Sequence, residues 1–221
     1  MSDPSSEQPE QSPDEVFITA VLFETALAVA ALGLGWALGP SARQFIPEWN
    51  PDDLQPVIEG VWKGTLAAIP MLIFIELVRR IPWGPIQELE KLSDDQMIGS
   101  LVRLRVPELL TISLCAGVGE ELLFRGWLMG WIGEGLIGVG VPVDPIWIAL
   151  ALSSLVFGFF HPITKMYIFL AAVMGLYFGG LLIWSENLLI PIFAHAVYDA
   201  IQLLMTKRQV ERKSKSLQPS S

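Results

Sequence analysis

Six runs of about 20 mostly apolar residues, at roughly 16–38, 57–78, 106–132, 145–162, 165–184 and 187–206, divide this 221-residue chain, and each is near the length a helix needs to cross a bilayer. Lipid offers no partner to backbone N–H and C=O groups, so runs of this kind fold as helices. The expected fold is all-α: a polytopic membrane protein of about six transmembrane helices around an intramembrane polar site. With 52% apolar and 17% charged residues, the chain is more apolar than ordinary soluble domains. The second and fourth runs are the least clean. Glu59 and Lys63 interrupt the start of the second and Pro70 lies within it, while the fourth is short and stops at Pro162.

The distribution of bases orients the bundle. With six crossings both termini share one side, which receives eleven Lys and Arg residues: Arg79, Arg80, Lys91, Arg103, Arg105, Lys165 and the five from Lys207 to Lys215. The other side receives Arg43 alone. By the positive-inside rule both termini are expected in the cytoplasm; five or seven crossings would scatter the bases. Trp36, Trp83, Trp131, Trp147 and Trp184 fall near run ends, where amphipathic rings prefer the interface.

The remaining segments carry less chemistry. Residues 1–15, with five acids, no base and prolines at 4, 9 and 13, read as a disordered acidic tail and lack the basic start of a signal peptide. Residues 16–206 form the expected membrane domain, and 207–221 a basic C-terminal tail. The segment 84–105 reads as a helix at the cytoplasmic surface. Gly126-x-x-x-Gly130 and Gly175-x-x-x-Gly179 permit close helix contact. The single Cys115 has no disulfide partner in the chain. The net charge of −9 is set by an acidic start and a basic end, and no nucleic-acid partner is expected.

Against this apolar background a few ionisable residues stand out. Glu120, Glu121 and Arg125 fall within one run, His161 at the end of the next, and His195 and Asp199 within the last. A charge at the bilayer centre costs roughly 2.5–3.5 kcal/mol on the lenient scale, so each needs a partner, water or a function. At about 1.5 Å per residue from Ile132, Pro145 and Asn187 as outer ends, Glu120 lies about 18 Å deep, His161 about 24 Å, His195 about 12 Å and Asp199 about 18 Å. The four can meet in one layer. Glu121 and Arg125, Phe157 and His161, and His195 and Asp199 are each four apart and share a helix face. A lone helical histidine is usually a satisfied core residue; the joint depth sets these two apart. Glu24, in the first run, has no partner visible in the sequence. Pro191 is expected to kink the last helix and free the carbonyl of Asn187.

Glu120-Glu121-x-x-x-Arg125, Phe157-x-x-x-His161 and His195-x-x-x-Asp199, in this order on successive apolar segments, resemble the CAAX-protease and bacteriocin-processing family of intramembrane endopeptidases, which includes the type II CAAX prenyl endopeptidases. Gly175-Leu176-Tyr177-Phe178-Gly179 and Asn187-Leu188-Leu189-Ile190-Pro191-Ile192 also resemble stretches that family carries before its last histidine. The resemblance covers about 107–204. One departure is Asp199, where the prenyl-protein proteases of the family typically have Asn. The resemblance implies a membrane peptidase, that Glu121 is functionally required, and a substrate presented at the bilayer. It places the protein in the inner membrane of a bacterium, among lipid and a peptide or protein substrate.

The residues suit that chemistry on their own terms. Peptide hydrolysis needs an activated water, a stabiliser for the oxyanion and a proton for the leaving amine. Glu120 is the candidate base, Glu121 the partner of Arg125, His161 a second ligand for the water, and His195 with Asp199 the group that polarises the scissile carbonyl. A metal is the competing version: zinc needs three ligands and an open position, and Glu120, His161, His195 and Asp199 are the candidates. The family resemblance accommodates both, and the reading leans toward a metal-independent water site. Two other functions use the same residues: partner binding, as in bacteriocin immunity, and proton or ion transport by buried Glu, Asp and His. No internal repeat of the transporter kind is evident in the sequence.

Overall fold

The computed structural model describes residues 12–91, 96–140 and 143–217. The fold is all-helical: α1 Pro13–Leu38, α2 Gln55–Arg79, α3 Gly84–Lys91, α4 Gln96–Val102, α5 Val106–Glu121, a wide-turned segment Leu122–Leu128, α6 Met129–Val139, α7 Pro145–Phe159, α8 Lys165–Ser185 and α9 Leu189–Leu217. Four of these, α1, α2, α8 and α9, are long and apolar enough to cross a membrane, which makes the chain a polytopic membrane protein. The other two expected crossings fall short as single helices. α7 has 15 residues, and the third run is divided between α5, the wide-turned segment and α6, which follow one another without a break.

Helix ends account for the other differences from expectation. α1 starts inside the expected tail, because Pro13 occupies the first turn, where no N–H is needed, and Ser12 and Glu15 cap each other. The rest of that tail, residues 1–11, lies outside the described residues. The described residues of the segment 84–105 include the helices α3 and α4. Ile86, Val102 and Leu104 are buried, and Lys207 Nζ donates to the carbonyls of Val102 (2.6 Å) and Leu104 (3.0 Å), fastening the end of α4 to α9. α9 runs through the basic residues to Leu217. Pro191 does not kink it: the helix begins at Leu189, so the proline sits in the first turn, and the carbonyl of Asn187 accepts from the N–H of Ile190.

Small residues decide which helices touch. On α2 the buried positions are Gly60, Gly64, Ala68 and Met71, one stripe at helical spacing, and a Cβ at Gly64 would stand 2.6 Å from the carbonyl oxygen of Ile190 on α9. The two Gly-x-x-x-Gly pairs serve likewise, with Gly126 against the backbone of Ala42 and Gly175 against Ser154. α9 packs on α2, α5 and α8, while α1 packs on α5. Outward faces carry large apolar side chains such as Leu22, Phe23, Val29, Ile73 and Phe169, all exposed, as suits faces turned to lipid. The five boundary tryptophans are exposed as well.

Two glycines of α5 position the acid pair. Gly117 lies against the carbonyl of Ile192 on α9, one turn before Glu121, and Gly119 lies against the carbonyl of Glu24 on α1. A Cβ at Gly119 would stand 2.3 Å from that oxygen, a backbone collision that no rotamer relieves. Gly119→Ala is therefore expected to destabilise the bundle by about 1–3 kcal/mol. Gly33→Ala, where nothing lies within 4 Å, is expected to be neutral. Thermal denaturation of the two variants in detergent or nanodiscs checks this.

Candidate active site

The acid pair ends α5, and the chain then widens. Across Leu122–Leu128 the hydrogen bonds stretch to the residue five back, as where Met129 N–H donates to the carbonyl of Phe124. Such wide turns in a helix often mark functional sites. Here the segment begins directly after Glu121 and carries Arg125, both buried.

Arg125 is 1% exposed, and both terminal nitrogens of its planar fork are bonded. Nη1 donates to Glu121 Oε1 at 3.0 Å and Nη2 to the carbonyl of Gly175 at 3.1 Å. The guanidinium lies 4.3 Å from the ring centre of Phe157 and 5.4 Å from that of Phe178, contacts a planar cation favours. Gly175 is tightly enclosed, since a Cβ would stand 3.0 Å from Ser154 and 3.2 Å from Arg125 Nη2. The expected Glu121 and Arg125 pairing is present, with α8 as an anchor that the sequence did not reveal.

Glu121 has a second partner. Its Oε1 lies 2.9 Å from Nδ1 of His195, so one carboxylate oxygen ties α9 to the arginine. This is the arrangement by which a carboxylate fixes the orientation of a working imidazole. Phe178 stacks on the same ring at 4.8 Å and 14°. The other nitrogen, Nε2, faces Asp199 Oδ2 at 3.4 Å and Glu120 Oε2 at 3.9 Å.

His161 reaches the site from the end of α7. Its Nδ1 lies 2.9 Å from the carbonyl of Phe157. A carbonyl only accepts, so Nδ1 carries the proton and, in the neutral ring, Nε2 is left as an acceptor. That Nε2 lies 3.7 Å from Glu120 Oε2. Glu120 Oε2 is buried and has no hydrogen-bond partner among the described residues. Separations of 3.7 and 3.9 Å are too long for direct hydrogen bonds. Glu120, Glu121, Arg125, His161, His195 and Asp199 thus lie in one cluster drawn from α5, the wide-turned segment, the end of α7, and α9.

Glu120, His161, His195 and Asp199 are also the candidate zinc ligands. Zinc takes nitrogen and oxygen at about 2.0–2.2 Å, with three ligands closing on one point. Among the described residues no group of three or more His, Cys, Asp or Glu closes in that way.

Two nearby residues were not assigned to the site from the sequence. Tyr167, at the start of α8, has its ring 6.1 Å from that of His161. Glu24 of α1 packs its backbone carbonyl against Gly119, the residue before Glu120. The sole hint of its inclusion was an ionisable residue with no visible partner in an apolar run.

Residues 103–201 match the family described as type II CAAX prenyl endopeptidase Rce1-like. The uncharacterized protein YpbD of Bacillus subtilis (strain 168) is 25% identical over 177 residues, covering 78% of this chain and 80% of that protein. No solved structure matches.

Proposed function

The chain carries an Rce1-like domain, of the type II CAAX prenyl endopeptidase family, at residues 103–201, and on that footing we propose that it is an intramembrane endopeptidase that cuts a membrane-associated protein or peptide with water activated by Glu120. One observation carries this reading: Glu120 Oε2, buried and free of any hydrogen bond among the described residues, faces the Nε2 atoms of two histidines at 3.7 and 3.9 Å. A carboxylate and an imidazole acceptor on one small volume are what a nucleophilic water needs.

The reaction follows from these roles. Glu120 takes a proton from the water while His161 Nε2 holds the other hydrogen, and the water oxygen bonds to the scissile carbonyl carbon. His195, as an imidazolium that donates Nδ1–H to Glu121 and is flanked at Nε2 by Asp199, offers Nε2–H to the developing oxyanion. The C–N bond breaks as the nitrogen receives the proton from Glu120, leaving a carboxyl and an amine. Arg125 does not touch substrate; it is a positioning residue that fixes Glu121 and, through it, His195. Membrane lipid and the anchored substrate are the partners of this reading. It takes six crossings in a bacterial inner membrane, with α5 to α6 and α7 as the third and fourth and both termini in the cytoplasm.

The purified protein, reconstituted in lipid and given a tagged library of membrane-anchored peptides, is expected to cleave a subset at one bond, read by mass spectrometry. Stringent chelation is expected to leave the rate unchanged. Failure to cleave any anchored peptide contradicts the peptidase reading. Loss of activity on chelation, restored by zinc, contradicts the metal-independent one.

A further inference from the structure

α1 lies outside the matched residues 103–201, yet it reaches the site. Glu24 is the one ionisable residue between Glu15 and Arg43. Its backbone carbonyl packs on Gly119, the residue before Glu120, at the crossing of α1 and α5. Its carboxylate oxygen Oε2 is buried although the helix faces largely outward.

Three buried side-chain oxygens have no hydrogen-bond partner among the described residues: Glu24 Oε2, Glu120 Oε2 and Glu121 Oε2. Buried polar groups in native structures are paired, so each such atom calls for a cause. Glu121 is already held through its other oxygen by Arg125 and His195. The open oxygen of Glu120 faces two imidazoles, as a water-activating base does. Glu24 has neither: among the described residues no His, Lys or Arg pairs with it. A carboxylate can only accept, so the partner it lacks is a donor.

A peptide chain supplies such donors beside its scissile bond, as backbone N–H groups or as a lysine ammonium. We propose that Glu24 is a substrate-binding residue that accepts an N–H of the peptide next to the bond to be cut, so that the first helix forms one wall of the substrate channel. This rests on the peptidase reading and deepens it.

The test uses the full-length protein in nanodiscs and an anchored peptide that the library experiment shows to be cleaved. Kinetics are measured for wild type, Glu24→Gln and Glu24→Leu. The peptide is varied by N-methylation at each amide flanking the cut, and by lysine replaced with norleucine. Glu24→Leu is expected to lower kcat/KM by about tenfold to a hundredfold, mainly through KM. Glu24→Gln, which keeps an acceptor oxygen, should lose less. One N-methylation, or the norleucine replacement, should cost wild type about tenfold or more and Glu24→Leu almost nothing, which identifies the donor as backbone or side chain.

Binding of uncleaved anchored library peptides to the Glu120→Gln protein, with and without Glu24→Leu, gives a readout independent of turnover. Thermal denaturation confirms that the variants are folded. Equal peptide penalties in wild type and Glu24→Leu overturn the inference and leave the peptidase reading intact. Capture without cleavage, weakened by Glu24→Leu, overturns the peptidase reading and keeps Glu24 as a peptide contact. Neither cleavage nor capture overturns both.

Discussion

Glu120→Gln is expected to lower kcat by about 10²–10⁴-fold while leaving thermal stability near wild type. The substitution keeps the shape of a side chain whose Oε2 makes no hydrogen bond among the described residues, so little structure is lost with the charge. What disappears is the ability to take a proton from water. Glu121→Gln is expected to behave differently. Glu121 Oε1 lies between Arg125 Nη1 at 3.0 Å and His195 Nδ1 at 2.9 Å, so its neutral amide weakens the bundle as well as the rate. Steady-state kinetics and melting curves of the two variants separate the roles of adjacent acids. Equal stability loss in both would contradict this division.

Arg125→Met carries the largest expected loss of stability, about 3–5 kcal/mol, the usual result of removing one partner from a buried ion pair. Glu121 is fully buried, and without Arg125 its charge has one histidine nitrogen for a partner. The carbonyl of Gly175 also loses its donor, and the faces of Phe157 and Phe178 lose their cation. Arg125→Lys is expected to rescue little, because an ammonium cannot span Glu121 and Gly175 with a rigid fork. Denaturation in a fixed detergent measures both, and an Arg125→Met protein as stable as wild type would remove Arg125 from this structural role.

Much of the site was legible because charge in an apolar run has so few explanations. Glu120, Glu121, Arg125, His161, His195 and Asp199 each stood out by their setting, and helical rise brought the acids and histidines near a common depth. The Glu121 and Arg125 pair followed from spacing alone. The bond from Glu121 to His195 did not, since it depends on how α5 meets α9, and that is fixed by Gly117 against Ile192. Glu24 was hidden for the same reason, its place being set by the crossing at Gly119.

Backbone details were less legible. Leu122–Leu128 contains no residue that announces a wide turn; the segment is held by contacts of Arg125 with residues far along the chain. Proline misled twice. Pro13 suggests a disordered tail and Pro191 a kink, yet both occupy the first turn of a helix, where proline fits. Residue types alone could not choose between a water site and a zinc site, because the same four side chains suit both. Whether the donors close on one point is a question of fractions of an ångström.

The most direct test of a water activated by Glu120 is cleavage in water enriched in oxygen-18, with mass spectrometry of the N-terminal fragment. Wild type is expected to place one heavy oxygen in the new carboxyl group under conditions where Glu120→Gln yields almost no fragment. Undiminished cleavage by folded Glu120→Gln, or a wild-type fragment whose new carboxyl carries no heavy oxygen, would contradict the account.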